Sequence, residues 1–474
     1  MNWLAPENLI AALAGFLLLA QLFLGLGGRC IGRLALVGII VIFITTLRLP
    51  LPDNHITYWS GLCVWDHLAR FFKLFFLAVT ALVICMSLHP TSDEKPPEPE
   101  FFIIPLFTAS GLLLLASVID FMSLFVALEL VTVSFYLLVA YQRHSAVALE
   151  AGVKYLILGA LASAFLVMGI AYVFGLSGST LFITVFAALS LPGPHVGLIF
   201  GLLLILVGIG FKISAVPFHF WTPDVYEGAP PPVMAFLSVG SKAAGFVLLL
   251  RIFTEIVAPD SGERGALFEP TLVALAAFSM LLGNLAAIPQ RNLKRLLAYS
   301  SIGHSGYLLV AVVASNHTRA GMTALGVYLI AYFLATMTAL LVITVISPKL
   351  QSEQIHTYAG LWRRAPLAAV ALLLALISLA GIPPLVGFLG KLSILLAAWE
   401  AGFVVLFWLS LVASVIGLSY YLGVVKAMFW SEPIDFTPIP IKWPTRILLS
   451  LLIAAMVILG LWPQGLALLV NGLG

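Results

Sequence analysis

Apolar runs long enough to cross a bilayer follow one another along nearly the whole chain. A spanning helix needs about 20 mostly apolar residues. Runs of that kind occupy 8–26, 33–50, 67–89, 101–117, 119–141, 150–175, 194–221, 230–256, 266–288, 297–315, 321–346, 367–397, 402–430 and 446–470. With backbone groups barred from water, such runs are stable as helices whose hydrogen bonds close within the segment. Hydrophobic residues make up 62% of the chain and charged residues 9%, against roughly 25% charged in soluble domains. The fold class is therefore an all-α polytopic membrane protein of about 14 transmembrane helices.

Composition also excludes several functions. Net charge is +3 and no basic run of the kind nucleic acid requires is present. None of the three cysteines, Cys30, Cys63 and Cys85, belongs to a C-x-x-C pair or lies near a His at ligand spacing, so no zinc or iron–sulfur site is expected. No Gly-rich phosphate fingerprint follows a strand-like segment. At the N-terminus the first basic residue, Arg29, comes after the apolar run. A signal peptide would begin with positive charge, so the run reads as a retained first span. Residues 179–191 are apolar but short, as for a segment lying on the membrane surface.

Loops are short, and the acidic, Pro-rich SDEKPPEPE at 92–100 separates a peripheral three-helix unit, 1–100, from the rest. Lys and Arg in the loops set orientation. Arg29, Arg33, Lys95, Arg143, Arg291, Lys294, Arg295, Lys349, Arg363, Arg364, Lys442 and Arg446 share one side. Arg48, Arg251, Arg264 and Arg319 occupy the other, with Arg70 and Lys73 at a helix start. The richer side should be cytoplasmic, with both termini opposite.

Five charges fall within apolar runs: Glu129, Lys154, Lys212, Lys242 and Lys391. Each costs at least about 2.5–3.5 kcal/mol at a helix centre, and such residues ordinarily line ion pathways. Glu129 is too short and too deep to reach the interface; it reads as a carboxylate paired with a buried lysine, or as one half of a structural ion pair. Lys154 follows Glu150 at i,i+4, which equally describes a local salt bridge. Lys212 lies just before Pro217, which should break its helix, and a break at membrane depth must line a cavity or contact protein. His219, two residues beyond, is a further proton carrier or a satisfied structural His. Lys242 sits among Ser238, Gly240, Ser241, Ala243, Ala244 and Gly245, which leave room for close packing or water. A lysine held there can take up and release protons near neutral pH. Lys391 follows Gly381, Pro383, Pro384 and Gly387, a second interruption. Two discontinuous helices in separate halves point to an inverted repeat with a midplane site. His304 is an additional polar point near a helix start, a link in a water chain or an interfacial His.

At these residues the chain resembles a known family. GFKISAVPFHFWTPDVYEGAPPPVMAFLSVGSKAAG (210–245), NLKRLLAYSSIGHSGYLL (292–309) and LAGIPPLVGFLGK (379–391) resemble the antiporter-like membrane subunits of bacterial NADH:quinone oxidoreductase, respiratory complex I. SVGSKAAG favours the subunit N type, and the resemblance runs from about 101 to 431. It implies fourteen helices with two inverted five-helix repeats, at 101–256 and 257–431, and a last helix within 432–474. It implies that Glu129 and Lys212 form a coupling pair, that Lys242 is the central relay and that Lys391 leads to the exit. It further implies that this chain carries no cofactor, while NADH, flavin, iron–sulfur clusters and quinone belong elsewhere in the complex. The partners implied are the neighbouring antiporter-like subunit M, small membrane subunits and the lipid of a bacterial cytoplasmic membrane, with no nucleic acid. A subunit of a multi-subunit sodium/proton antiporter would use the same charges. A membrane scaffold would hold them as sealed ion pairs. A quinone-binding enzyme is a further idea, but no quinone site stands out.

Overall fold

The computed structural model describes residues 5–50, 56–88, 97–190, 195–256, 265–433, 435–470 and 473. Residues 92–96 of the acidic linker, Lys95 among them, and Arg264 lie outside the described residues.

The chain opens with α1 (Pro6–Leu24) and α2 (Gly28–Arg48). A hairpin of β1 (Ile56–Tyr58) and β2 (Cys63–Trp65) leads to α3 (His67–Leu88). Then come α4 (Glu100–Leu115), α5 (Phe121–Val139), α6 (Ala146–Ser177), α7 (Phe182–Ser190) and α8 (Val196–Lys212). Short α9 (Trp221–Gly228) and α10 (Pro231–Phe236) follow, and a π-helical turn, Leu237–Ser241, runs into α11 (Lys242–Ile256). The remainder comprises α12 (Gly265–Ala287), α13 (Leu293–Ser315), α14 (Arg319–Leu350), α15 (Leu361–Arg364), α16 (Pro366–Ala380), α17 (Val386–Glu400), α18 (Val404–Trp430), α19 (Trp443–Leu461) and α20 (Pro463–Val470). Among the described residues, eleven helical segments are long and apolar enough to cross a membrane.

Local sequence sets these boundaries. Pro6 stands in the first turn of α1, where its missing N–H is no loss. Asp120 caps α5 by accepting from Ser123 N at 2.8 Å, and Asn292 caps α13 by accepting from Lys294 N at 2.8 Å. α6 ends on Gly178 and α16 on Gly381, at φ 72° and 84°, a left-handed conformation that glycine adopts without steric cost.

Three boundaries differ from the sequence expectation. α13 begins at Leu293 rather than 297, because Asn292 supplies the cap, which puts His304 three turns inside the helix instead of near its start. The last apolar run is divided at Trp462, whose backbone leaves the helical region (φ −122°, ψ 75°) just before Pro463. The β-hairpin, with Ile56 opposite Trp65, has no counterpart among the apolar runs.

Packing divides the described chain into two units. One holds 5–84, 97–214 and 240–271; the other holds 85–88, 215–239 and 272–473. In the first, α6 packs on α5 and α8, α4 on α1, α2 and α5, and α11 on α8. The span containing α10, the π turn and α11 is wholly buried. In the second, α13, α14, α16 and α17 form the centre, with α18 and α19 against them. The outward sides of α1, α6, α18 and α19 carry exposed Leu, Val, Ile, Phe and Trp, surface suited to lipid.

Candidate functional site

α8 stops at Lys212 because the next residues cannot continue it. Ser214 takes a left-handed backbone, φ 59°, and Pro217 has no N–H to donate. Lys212 is buried, donates from Nζ to Thr132 Oγ1 of α5 at 2.9 Å, and lies 5.8 Å from the Phe135 ring. Glu129 is one turn before Thr132 on α5 and is half-buried; its carboxylate accepts from Ser163 Oγ of α6. Among the described residues no ion pair joins Glu129 to Lys212 directly. Lys212, Thr132 and Ser163 line one small cavity of about 10 Å³, close to the smallest space that holds a water.

Lys242 opens α11 and is buried at 1% exposure. The small residues around it permit a close approach: a Cβ on Gly245 would stand 2.3 Å from Ile213 Cγ2, at the end of α8. The helix thus brings Lys242 into the same unit as Lys212 and Glu129.

The second interruption lies between α16 and α17. Lys391 folds back onto it, donating to Ala380 O at 2.9 Å and to Ser414 Oγ of α18 at 3.0 Å. Its Nζ stands 5.0 Å from the Tyr307 ring. Glycine at 381 serves two needs here. It supplies the left-handed backbone, and a Cβ there would lie 2.6 Å from Lys391 Cδ. A second cavity of about 10 Å³ joins Lys391 to His304, Tyr328 and Tyr332.

His304 is buried in the core, not interfacial. Nδ1 bonds Tyr328 OH at 2.5 Å and Nε2 bonds Tyr421 OH at 3.1 Å. Tyr421 also shares a short hydrogen bond with Ser300, and Tyr332 donates to Ser301 at 2.9 Å. His219 is buried beyond the α8 break, stacked on Phe220, and its Nδ1 has no hydrogen-bond partner. Lys154 stands apart: it is 43% exposed and pairs with Glu150 at 2.7 Å on the outer side of α6.

The structure thus gathers Glu129, Lys212 and Lys242 in one unit, and His304 with Lys391 in the other. Sequence reading did not anticipate their partners Thr132, Ser163, Tyr328 and Tyr421. The available signal was internal tyrosines at helical spacing, such as Tyr328 and Tyr332. It also passed over two further buried lysines. Lys73 pairs with Glu7 at 2.7 Å and bonds Tyr58 OH at 2.9 Å. Lys294 pairs with Glu353 at 2.7 Å and bonds Ala229 O at 2.9 Å.

Comparison with known proteins places this geometry in a family. Residues 119–417 match the family described as NADH:quinone oxidoreductase/Mrp antiporter, transmembrane. An NADH-quinone oxidoreductase subunit N of Desulforamulus reducens is 41% identical over 447 residues, covering 94% of this chain and 91% of that one. A chain of respiratory complex I from Thermus thermophilus, solved with bound aureothin, superposes with TM-score 0.82 at 33% identity, over 98% of both chains. A chain of the Mrp complex from Dietzia shares the fold, with TM-score 0.82 at 20% identity, over 99% of this chain and 96% of that one. The chain belongs to the NADH:quinone oxidoreductase/Mrp antiporter membrane family, among the subunit N members of NADH-quinone oxidoreductase.

Proposed function

We propose that this chain translocates protons as a membrane subunit of complex I, coupled to electron transfer from NADH to quinone in other subunits. One observation carries this reading. Lys212 and Lys391 are buried, at 3% and 7% exposure, yet each bonds neutral groups: a threonine hydroxyl in one case, a serine hydroxyl and a backbone carbonyl in the other. A scaffold would seal such cations against carboxylates, as Glu7 seals Lys73 and Glu353 seals Lys294. A buried lysine with neutral partners can give up its proton without stranding a buried anion.

In the mechanism we infer, a redox event elsewhere changes the field at Glu129. Drawing Glu129 toward Lys212 favours the cation on Lys212. That charge repels charge on Lys242, whose proton passes toward Lys391. Separating Glu129 and Lys212 reverses the bias and lets Lys242 reload. His304 serves as a link near Lys391, with His219 and Lys154 in lesser roles. NADH, flavin, iron–sulfur clusters and quinone belong to the other subunits.

The same reading assigns fourteen passes in two inverted five-helix repeats, 101–256 and 257–431, after a peripheral unit at 1–100 and before a last helix in 432–474. The eleven long spans together with shorter apolar α4, α8 and α16 support that number. It places the chain in a bacterial cytoplasmic membrane with both termini on the periplasmic side, next to subunit M and small membrane subunits.

The test is Lys242→Ala in the purified complex, reconstituted in proton-tight vesicles. Assembly is expected to persist while NADH-driven acidification falls at least ten-fold. Normal pumping in an assembled variant would sink the relay. Sodium-dependent transport by the isolated protein would instead favour the antiporter reading.

A further inference from the structure

A cavity of about 660 Å³ lies in the second unit, where α12 and α18 end and α13 begins. α12 and α18 approach it side by side. Ser410 Oγ donates to Met280 Sδ at 3.3 Å, and further along both helices Tyr420 donates to Asn284 Oδ1 at 3.0 Å. One turn on again, Ile288 and Val424 line the cavity. Leu296 of α13 and Ile355 of the 3-10 turn Ile355–Tyr358 add to the same apolar wall. From Tyr420 to Ser431, which both line it, the chain rises about 16 Å.

The polar lining carries charge of one sign. Arg291 and His356 contribute to it, and among the described residues no carboxylate lines the cavity. Ile355 N donates to Arg291 O at 2.8 Å, so the guanidinium and the imidazole leave adjoining stretches of backbone. Neighbouring cations are neutralised: Lys294 pairs with Glu353, and Arg295 with Asp224 and Glu227. Arg291 and His356 are not. Both are exposed, and among the described residues neither side chain has a hydrogen bond or an ion pair.

Size and charge together select an occupant. A helix about 10 Å across needs about 1,250 Å³ to fill a cleft of about 16 Å, roughly twice the volume present. A single acyl chain is narrower and suits the apolar wall. A phosphate accepts from the guanidinium fork and from a ring N–H. Basic pockets between transmembrane helices hold anionic headgroups in this way. We propose that the cavity binds one anionic phospholipid, with its phosphate on Arg291 and His356 and an acyl chain along Ile288, Leu296 and Val424. The site is independent of the proton relay.

The experiment reconstitutes the purified complex in phosphatidylcholine vesicles containing a minor share of phosphatidylglycerol with a diazirine on its acyl chain. After illumination, mass spectrometry reads lipid attached to the stretch Ser419–Ala427. Attachment is expected to exceed that of phosphatidylcholine carrying the same label by about five-fold, the discrimination one basic contact at a membrane surface supplies. Arg291→Gln/His356→Gln should lose the preference, and Arg291→Lys should keep most of it. Should the double variant fail to assemble, the two labelled lipids compared on the unsubstituted complex still decide. Equal attachment of both lipids, an unchanged preference in the double variant, or no attachment because a neighbouring chain fills the cleft would overturn the proposal. Binding of inorganic phosphate without preferential lipid attachment would assign the cavity a free anion and overturn it too.

Discussion

Lys73 and Lys391 are both out of contact with the surroundings of the isolated chain, yet their partners differ in kind. Lys73 Nζ sits between the Glu7 carboxylate and the Tyr58 hydroxyl, a closed triad in which each of the three groups bonds the other two. Lys391 has a carbonyl and a hydroxyl. Removing one member of a buried pair leaves an uncompensated charge, which costs about 3–5 kcal/mol, while replacing both by apolar groups is often neutral. Lys73→Ala should accordingly lower the denaturation midpoint of the complex or prevent assembly, and the double substitution Glu7→Leu/Lys73→Leu should restore most of the loss. A thermal melt of both variants checks this; equal stability of Lys73→Ala and wild type would contradict it. Cysteines offer a second check at this scale. Burial pushes the Cys63 thiol up to about 12, so near pH 8 only about one part in ten thousand is thiolate. Exposed Cys30 should therefore alkylate while Cys63 does not, as read by mass spectrometry after iodoacetamide; rapid labelling of Cys63 would contradict the packing around it.

At the scale of elements, the candidate lysines sit where helices break or change pitch. Lys212 is the last residue of α8, Lys242 follows the π-helical turn inside a continuous helical span, and Lys391 lies five residues into α17 and turns back over the preceding break. Gly381 ties backbone to side chain at that break. Gly381→Ala should cost about 1–2 kcal/mol from the left-handed backbone and also push Lys391 off Ala380 O and Ser414. Gly402, at φ 81° with nothing within 4 Å of a Cβ, isolates the backbone effect. Pumping should thus fall several-fold in Gly381→Ala and hold in Gly402→Ala; equal behaviour of the two would remove Gly381 from the site. Much of this was legible in the sequence, because apolar length marks spans and Pro217, Pro383 and Pro384 mark interruptions. Less was legible where the decision is tertiary. Asn292 extends α13 by one turn through a side-chain cap, and no apolar pattern announces strands of three residues such as Ile56–Tyr58. That Lys212 bonds Thr132 rather than Glu129 depends on how α5 meets α8, which spacing along one helix does not encode.

For the whole molecule, each of the two units holds a buried lysine with a cavity of about 10 Å³ beside it, Lys212 in one and Lys391 in the other, while Pro217 and the break between α16 and α17 both belong to the second unit. Lys212 shares its cavity with Ser163, the partner of Glu129, and Lys391 shares its own with His304. Membership of the subunit N group sets these lysines in an antiporter-like, proton-translocating membrane subunit of complex I. On the proposed reading, neutrally partnered lysines carry protons and carboxylate-paired lysines hold the fold. The most direct measurement is the proton-to-electron ratio of the reconstituted complex, with pH change and NADH oxidation recorded together, for Lys391→Ala and for Glu7→Leu/Lys73→Leu. The ratio is expected to fall in Lys391→Ala and to stay at the wild-type value in the double variant. A wild-type ratio in assembled Lys391→Ala, or an equal fall in both, would contradict it.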